Sequence, residues 1–392
     1  MPGPTGKGVR MRAYSVLEAL ATRHTVTCLV VPLWDPRGQT DVPAATAALA
    51  EVVLAPPGPA YAVHRRLLSR AWYRRLAAQA SARLGPSPLE SIVVPSTVGS
   101  SRLTGRRFAH VHAFRLCTAP FAAPFLDGAR LSIDLDDLEG EARRRIARLP
   151  DTDPAMARAL EAEAALADVL LRHWQRRADL LLVASEQDRA TAQRGFDGTV
   201  LLAPNVVHPP PTVPPLPCDP PHCILFVGGL DYPPNRDAAT WLAREIVPAL
   251  GRLEAPPWKL YFVGAGGPTL LASLGARDPR LVAYDAVPDV APLLARARAA
   301  VVPLRAGGGT RIKVLEALAY ARPVVATTVG AEGLDLTGGT HLLIGDDAAA
   351  IAAHLASLLR DDHLATRLGA AGRGRVLEAY TPDPLARALA SV

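Results

Sequence analysis

The sequence has little of what builds disulfide-bonded, zinc-binding or membrane-spanning proteins. It contains 4 cysteines in 392 residues, and only Cys218 and Cys223 stand near each other, without a second pair at zinc-ligand spacing. We therefore expect reduced thiols and no metal site. No apolar run approaches the roughly 18 residues of a membrane-spanning helix, and residues 1–20 lack the apolar core of a signal peptide. These absences predict a cytoplasmic protein with, at most, peripheral contact at the inner membrane face.

Aromatic residues and acidic residues are also in short supply. Phe, Trp and Tyr make up 5% of the chain, and 43 Lys and Arg against 37 Asp and Glu leave a net charge of +6. A moderately basic protein suits anionic partners, which include nucleotide diphosphates, acidic lipids and nucleic acids. The arginines are spread over predicted helices, and we find no zinc-finger spacing or aromatic RNA-binding motif, so nucleic acid is the weakest of these partners.

Short apolar segments alternate with helical stretches along the chain, which is typical of an α/β fold with parallel sheets. A dense proline run at residues 208–221 can form neither a helix nor a central strand. The sequence therefore predicts two Rossmann-like domains facing a cleft, with ligands at the carboxyl ends of the strands. The predicted domains are residues 1–207 and 222–392, joined by a stiff linker at 208–221, and we expect the last helix to return to the first domain.

Twelve strands are predicted from this alternation. Before the proline run they lie at 25–31, 52–55, 108–113, 130–135, 179–184 and 200–203, and after it at 222–227, 259–263, 281–283, 299–304, 324–327 and 341–344.

The most informative segment is residues 299–320, where an apolar strand runs through three glycines into a helix. Gly307, Gly308 and Gly309 allow backbone amides to come close to a ligand, and Thr310 is expected to cap the helix. The unpaired amides at the start of such a helix commonly bind phosphate.

The side chains of that helix support the same interpretation. Lys313 and Glu316 lie one turn apart on its outer flank. A cation there suits a diphosphate, and a carboxylate one turn deeper suits sugar or ribose hydroxyls. A glycine-rich surface turn is the alternative for a lone run of glycines, but the adjoining strand, cations and carboxylate favour an anion-binding site.

These residues resemble a known family. The segment is similar to the donor-nucleotide motif of GT-B glycosyltransferases of family 4, in the form GGGTR-x-K-x-x-E found in bacterial transferases. The resemblance covers nearly the whole chain and is stronger after residue 179. Other segments that resemble the family lie at 110–115, 133–139, 203–206, 226–235 and 323–333.

The resemblance implies a retaining glycosyltransferase that needs no metal and no cofactor besides its co-substrate, a nucleotide-diphosphate sugar. In such enzymes fixed cations and helix amides stabilise the departing nucleoside diphosphate. Many relatives carry an Arg and a Lys where this chain has Gly229 and, approximately, Asn235. The resemblance therefore assigns the catalytic charges here to Arg311 and Lys313.

The resemblance also implies a set of donor-binding residues. The family pairs two glutamates eight residues apart, but Gly308 stands eight residues before Glu316, so recognition of the donor sugar falls to the loop amides and to Glu332. The donor-binding residues implied are Gly6, Gly8, Gly228, Gly307, Gly308, Gly309, Thr310, Glu316 and Glu332.

The N-terminal residues begin inside what resembles the family's first glycine loop, with no apolar strand before it. We expect either that the start lies further upstream or that the first domain lacks its first strand. An upstream start is favoured, because an absent central strand leaves unpaired backbone on both neighbours. Gly6 and Gly8 are then placed to approach the donor diphosphate across the cleft. A disordered tail of small residues is the alternative.

Acidic residues follow a predicted strand of the first domain, at positions Asp134, Asp136, Asp137 and Glu139. Carboxylates at a strand end can orient or deprotonate an acceptor hydroxyl, or they can be first-turn acids of a helix without chemistry. Both interpretations stay open, and Asp137 is our choice if one of them acts in catalysis. We expect at most one of His110 and His112 to face the cleft.

Two further segments have weaker signals. Residues 259–268 contain Gly264 and Gly266 in a partial dinucleotide-binding pattern, which we interpret as a strand-to-helix turn rather than a nicotinamide site. Residues 61–84 predict a basic amphipathic helix, either at a membrane surface or on a solvated domain surface.

The sequence thus favours a glycosyltransferase whose partners are a nucleotide sugar and a glycan, lipid-linked or small-molecule acceptor. Two other functions stay open: a sugar-nucleotide epimerase of the same fold, and a non-catalytic subunit that binds nucleotide sugars.

Overall fold

The structure is a computed structural model that describes residues 1–4, 6, 8–31, 42–55, 102–275 and 278–392. These residues form two compact units. Unit 1 comprises Met1–Arg148, Thr152–Pro204 and Leu385–Val392, and unit 2 comprises Leu149–Asp151 and Asn205–Pro384. The domain boundaries proposed from the sequence stay a prediction.

Unit 1 contains two parallel sheets. One pairs β1 (Val26–Val30) with β2 (Ala50–Leu54), and within the described residues no strand joins it to the other sheet. The second sheet has four strands, which lie side by side in chain order: β3 (His110–Phe114), β4 (Arg130–Asp134), β5 (Leu180–Val183) and β6 (Thr199–Leu202).

Two helices of unit 1 begin after a residue whose side chain caps them. The α5 helix has Pro154 at its first position, and the Asp153 carboxylate before it accepts hydrogen bonds from two first-turn amides. Ser185 caps α6 in the same way. The helices are α1 (Gly8–Ala21), α2 (Ala44–Leu49), α3 (Ala119–Ala122), α4 (Glu139–Ala147), α5 (Pro154–Gln175) and α6 (Glu186–Gln193).

Unit 2 is built on a six-stranded parallel sheet of order β12-β11-β10-β7-β8-β9. The chain fills one half of the sheet from β7 outward and then returns to place β10 on the other side of β7, which is the doubly wound order of nucleotide-binding folds. The strands are β7 (His222–Val227), β8 (Trp258–Val263), β9 (Leu281–Tyr284), β10 (Ala299–Val302), β11 (Val324–Ala326) and β12 (Leu343–Ile344). The α/β class with parallel sheets, predicted from the alternation of elements, is confirmed.

Nine helices surround this sheet among the described residues. Aspartate side chains cap the two long ones, Asp347 before α13 and Asp361 before α14. The helices are α7 (Pro233–Trp241), α8 (Val247–Gly251), α9 (Gly267–Ser273), α10 (Ala291–Arg296), α11 (Ile312–Ala319), α12 (Thr328–Ala331), α13 (Ala348–Arg360), α14 (Asp362–Ala379) and α15 (Pro382–Ala388), the last of which passes from unit 2 into unit 1.

The proline-rich segment is bound to unit 2 by arginine side chains. Arg322, which is 0% exposed, donates to the carbonyl oxygens of Pro214 and Pro215 at 2.8 and 3.2 Å. Arg298 donates to the Pro217 carbonyl, and Arg373 donates to that of Pro210. Proline lacks an N–H but keeps its carbonyl acceptor, so these contacts use the only backbone hydrogen-bonding group that the segment offers at those positions.

None of the helices in the described part of the chain is long and apolar enough to cross a membrane. The basic amphipathic helix predicted at 61–84 lies outside the described residues.

Candidate functional site

The candidate donor site lies in unit 2, at the carboxyl ends of β7 and β10. These strands are neighbours, and the strand order reverses between them. In open parallel sheets the crevice at such a reversal is where ligands bind, because the loops after the two strands diverge to opposite faces. The loop after β7 begins at Gly228, and the loop after β10 contains the three glycines.

The glycine loop depends on backbone conformations that other residues rarely adopt. Gly307 has φ of 128° and Gly309 has φ of 65°. Positive φ strains any residue with a Cβ, so these two positions require glycine. The predicted helix cap at Thr310 is wrong: α11 is preceded by Arg311, and the Thr310 hydroxyl instead accepts a hydrogen bond from the Asn205 side chain.

Arg311 is engaged with the loop itself. Its side chain is 6% exposed, and its guanidinium donates to the Gly308 and Gly309 carbonyls and, at 3.3 Å, to the Val329 carbonyl. The carboxylate of Glu332 lies 4.0 Å away. These contacts indicate that Arg311 holds the loop in shape, so its predicted contact with the diphosphate stays a prediction.

Lys313 presents its amine at the carboxyl end of β7. The Nζ atom donates a hydrogen bond of 2.8 Å to Asn235 Oδ1 and lies 5.3 Å from the centre of the Phe226 ring. No carboxylate within the described residues forms an ion pair with it. Burial lowers the pKa of Lys313 to about 7, and the positive charge of Arg311 acts in the same direction. The amine can therefore take up a proton and form an ion pair with an anionic ligand.

Gly228 lies against the side chains of Asn235 and Lys313. A Cβ at this position would lie 2.7 Å from Asn235 Cγ and 2.7 Å from Lys313 Nζ. A larger residue here would therefore shift the ends of these two side chains, including the amine.

Glu316 lies one turn further along α11, as the spacing predicts. Burial raises the pKa of Glu316 to about 7; Lys313 opposes this shift and the Asp289 carboxylate adds to it. A carboxyl group in this setting can accept hydrogen bonds from hydroxyls, and at neutral pH it is divided between its ionised and neutral forms.

We expect Glu316→Gln to weaken donor binding more than it moves the pH profile. The amide keeps the shape but loses the charged acceptor, which costs about 1.5 kcal/mol or more, or roughly tenfold in donor KM. The measurement is donor KM and kcat from pH 6 to 9, with the exposed Glu245→Gln in the same unit as the control. A normal donor KM with a displaced pH optimum would identify Glu316 as an acid–base group instead.

The partial dinucleotide pattern forms a strand-to-helix turn, as interpreted. β8 ends at Val263, and α9 begins directly after Gly266, which has φ of 82°. A Cβ on Gly264 would lie 2.1 Å from the Gly228 carbonyl, so this glycine serves the close packing of two turns rather than a pyrophosphate.

In unit 1 the structure shows that the four acidic residues at positions 134–139 have different surroundings. Asp134 is 0% exposed and bound by both Nε and Nη2 of Arg12, the latter at 2.7 Å, so it is structural. Glu139 is the first residue of α4 and pairs with Arg115 and Arg143. The interpretation as a first-turn acid therefore fits Glu139.

Asp136 and Asp137 occupy the turn after β4 in a strained setting. Asp136 has φ of 60°, and Arg115, at the end of the neighbouring strand, has φ of 70°. Such conformations cost about 1–3 kcal/mol each and are concentrated at functional sites. Burial raises the pKa of Asp136 to about 7 and also raises the pKa of Asp137.

Asp137 borders a cavity of about 220 Å³. Its Oδ1 atom is buried and accepts no hydrogen bond, and the nearest guanidinium, that of Arg115, lies 3.7 Å away. Leu116, Leu171 and Gln175 form other parts of the wall. Glu139, Glu141, Arg144 and Asp168 also line this cavity, so its wall combines apolar and charged residues. The catalytic role of Asp137 stays a prediction.

His110 and His112 face the same side of the sheet, and the expectation that at most one of them faces the cleft stays a prediction. Both rings contact the Ser132 hydroxyl, at 2.7 and 2.8 Å. Residues two apart on a strand point to the same face, and β4 presents Ser132 between them. Burial lowers the pKa of His112 to about 4, so that ring is neutral at pH 7.

The predicted site residues thus fall into two groups. Unit 2 brings together those around Lys313, and unit 1 holds Asp137 and the N-terminal glycines. Gly6 has φ of 111° and Gly8 begins α1, but their approach to a diphosphate stays a prediction. The unit 2 group comprises Gly228, Gly307, Gly308, Gly309, Thr310, Arg311, Lys313, Glu316 and Glu332.

Sequence reasoning missed the role of Asn235. It named this residue only as a position where the family's cation is absent, and nothing local marks it as a partner of Lys313, which lies 78 positions away. The one signal in the sequence was its position in the first turn of the helix that follows the Gly228 loop. The described residues also contain no group of three or more His, Cys, Asp or Glu side chains arranged to hold a metal ion.

Part of the chain matches a protein-family model. Residues 221–361 match the family model of glycosyl transferases group 1, and this match contains both loops of the candidate donor site. No curated protein sequence matches the chain closely enough to count as a relative.

Several solved structures have a similar fold. Sucrose-phosphate synthase from Thermosynechococcus elongatus is 18% identical with a TM-score of 0.68, over 98% of this chain and 92% of that one. HepE of Anabaena, solved with UDP and glucose, is 13% identical with a TM-score of 0.58, over 100% and 97%. The lipopolysaccharide outer core galactosyltransferase WaaB is 12% identical with a TM-score of 0.55, over 100% and 96%.

At these identities the structures show a likeness of fold, that of GT-B glycosyltransferases. The family match adds a likeness in sequence over residues 221–361. Together they support an enzyme of the nucleotide-sugar-dependent glycosyltransferase class.

Proposed function

We propose that this protein is a retaining, metal-independent glycosyltransferase that moves a sugar from a nucleotide-diphosphate donor to a hydroxyl of a glycan, lipid-linked saccharide or small-molecule natural product. The observation that carries the proposal is the Lys313 amine, which forms no ion pair among the described residues and lies at the reversal of the unit 2 sheet, beside the glycine loop. HepE, of similar fold, was solved with UDP and glucose, which makes UDP the first nucleotide to test.

The chemistry follows from charge that develops on the leaving group. When the bond between the sugar and the diphosphate breaks, the nucleoside diphosphate gains negative charge, and a fixed cation with aligned backbone amides stabilises it. Lys313 supplies the cation and the loop at Gly307–Gly309 supplies the close backbone approach. Glu316 accepts hydrogen bonds from donor hydroxyls.

The acceptor hydroxyl is proposed to be oriented by Asp137. A carboxylate whose pKa is raised by burial is a better proton acceptor at neutral pH than an exposed one. The adjoining cavity gives room for part of an acceptor, and its wall of leucines and charged residues suits both the face and the hydroxyls of a sugar ring.

The test begins with donor binding. We expect one of UDP, GDP, ADP and dTDP to raise the melting temperature, since a ligand at about 100 times its Kd stabilises the folded state by about 2.7 kcal/mol. The matching nucleotide sugar is then mixed with candidate acceptors, and we expect nucleotide release only when an acceptor is present, with retained anomeric configuration and undiminished rates in EDTA. No stabilisation by any of the four nucleotides would contradict the proposal. Epimerised donor without acceptor would indicate a sugar-nucleotide epimerase.

A further inference from the structure

The contact between Asn235 and Lys313 joins the two loops of the candidate donor site. Asn235 is 8% exposed and lies in the first turn of α7, after β7, while Lys313 lies in the first turn of α11, after β10. The Asn235 amide is itself fixed, because its Nδ2 donates to the Gly229 carbonyl at 3.0 Å. That bond determines the orientation of the amide and turns Oδ1 toward the amine.

The space around the amine is narrow on the remaining sides. Gly228 leaves no room for a Cβ, and the Phe226 ring lies against the amine. A planar guanidinium has a different shape and spreads its donors, so it does not replace a compact ammonium here. The chain contains only three lysines, Lys7, Lys259 and Lys313, and one of them stands at this position.

We infer that Asn235 is a positioning residue that holds the Lys313 amine where the donor's diphosphate binds, and that the amine takes up a proton as the diphosphate arrives. This inference rests on the proposed function. Asn235 is uncharged, so it fixes the position of the amine without forming an ion pair with it. The protonated amine can then form its ion pair with the bound diphosphate.

The charged groups around the amine support the proton uptake. Arg311, in the loop before α11, disfavours a second positive charge, whereas Glu316 on the same helix favours it and is itself affected by Asp289. In the free protein the pKa of Lys313 is about 7, so at pH 8 most of the amine is neutral. A bound diphosphate adds negative charge beside it and raises its pKa, so the amine then binds a proton.

The first experiment moves the amine from one loop to the other. We expect Lys313→Asn to lower kcat about ten- to hundredfold, and Asn235→Lys combined with Lys313→Asn to recover most of that loss, because the two side chains exchange places within 2.8 Å. Lys313→Arg is expected to recover little. Thr240→Ala, a substitution on the same α7 helix, is the control for general effects on that helix.

The second experiment measures protons directly. Titration calorimetry of UDP into the protein at pH 8, in buffers of different ionisation enthalpy, is expected to show uptake of about half a proton or more per nucleotide in the wild type. The same titration of Lys313→Met subtracts any proton bound by the nucleotide itself and is expected to show almost none.

The results separate this inference from the proposed function. Binding of UDP without proton uptake, or a double variant that folds but is no more active than Lys313→Asn, would overturn the inference while leaving donor binding intact. A wild type that binds none of UDP, GDP, ADP and dTDP would contradict the proposed function itself, and the inference with it.

Discussion

Replacing Lys313 by alanine is expected to lower turnover about ten- to hundredfold, the largest effect we expect from a single substitution at the donor site. A charge-assisted contact is worth about 1.5–3 kcal/mol, and each 1.4 kcal/mol corresponds to about tenfold in rate. The loss should appear in kcat, because the charge on the leaving group is greater in the transition state than in the bound donor.

The measurement is initial-rate kinetics with the donor identified by the nucleotide screen. Lys259→Ala is the matched control, since Lys259 is an exposed lysine on β8 of the same unit. Unchanged kcat in a folded Lys313→Ala variant would remove this residue from the catalytic assignment.

The largest effect on stability is expected from Asp134→Asn in unit 1. Arg12 and Asp134 are 1% and 0% exposed at their side chains, and the guanidinium also donates to the Ala203 carbonyl at 2.8 Å. Removing one charge of a buried pair leaves the other without compensation, which typically costs about 3–5 kcal/mol. We expect the melting transition of unit 1 to fall by the order of 10 °C.

The control for this substitution is Asp127→Asn. Asp127 pairs with Arg107 at 3.3 Å, but both side chains are more than four-fifths exposed, and such pairs contribute little. The double replacement Arg12→Met with Asp134→Leu should recover only part of the lost stability, because it removes both charges of the pair but also takes Arg12 away from Asp136, which lies 3.5 Å from it. Equal melting of Asp134→Asn and Asp127→Asn would show that the buried pair is not needed.

The parts of the fold that depend on local sequence were predictable. Twelve short apolar segments became strands because apolar runs bounded by turns fit a sheet covered on both faces. The glycine loop was predictable for the same reason: a strand, three glycines and an amphipathic helix are consecutive in the chain.

The parts that depend on distant residues were not predictable. Thr310 looked like a helix cap from its neighbours, but its hydroxyl bonds to Asn205, 105 positions away. For Thr310 a polar side chain had local and distant partners available, and the tertiary packing decided. Arg311 binds the carbonyls of its own loop and of Val329, 18 positions away, while its contact with the diphosphate stays a prediction.

The acidic residues after β4 show the same limit. Four carboxylates within six positions looked equivalent in the sequence, because burial and pairing cannot be seen from spacing alone. The structure distinguishes them by how closely cations approach: Arg12 lies 2.7 Å from Asp134, and Arg143 lies 2.8 Å from Glu139. Asp136 and Asp137 have longer contacts with Arg12 and Arg115, at 3.5 to 3.8 Å, and burial raises the pKa of both carboxyl groups.

The proline-rich segment bound by arginines has a practical consequence for experiments on this protein. Arg298, Arg322 and Arg373 donate to main-chain carbonyl oxygens of this segment. Replacement of individual prolines keeps these oxygens, so we expect it to be tolerated. Deletion of the segment would leave three guanidinium groups without those acceptors. A fragment designed to isolate the main part of unit 2 should therefore start at Asn205 and not at His222. A protease that cuts exposed extended chain should likewise find this stretch resistant despite its irregular backbone.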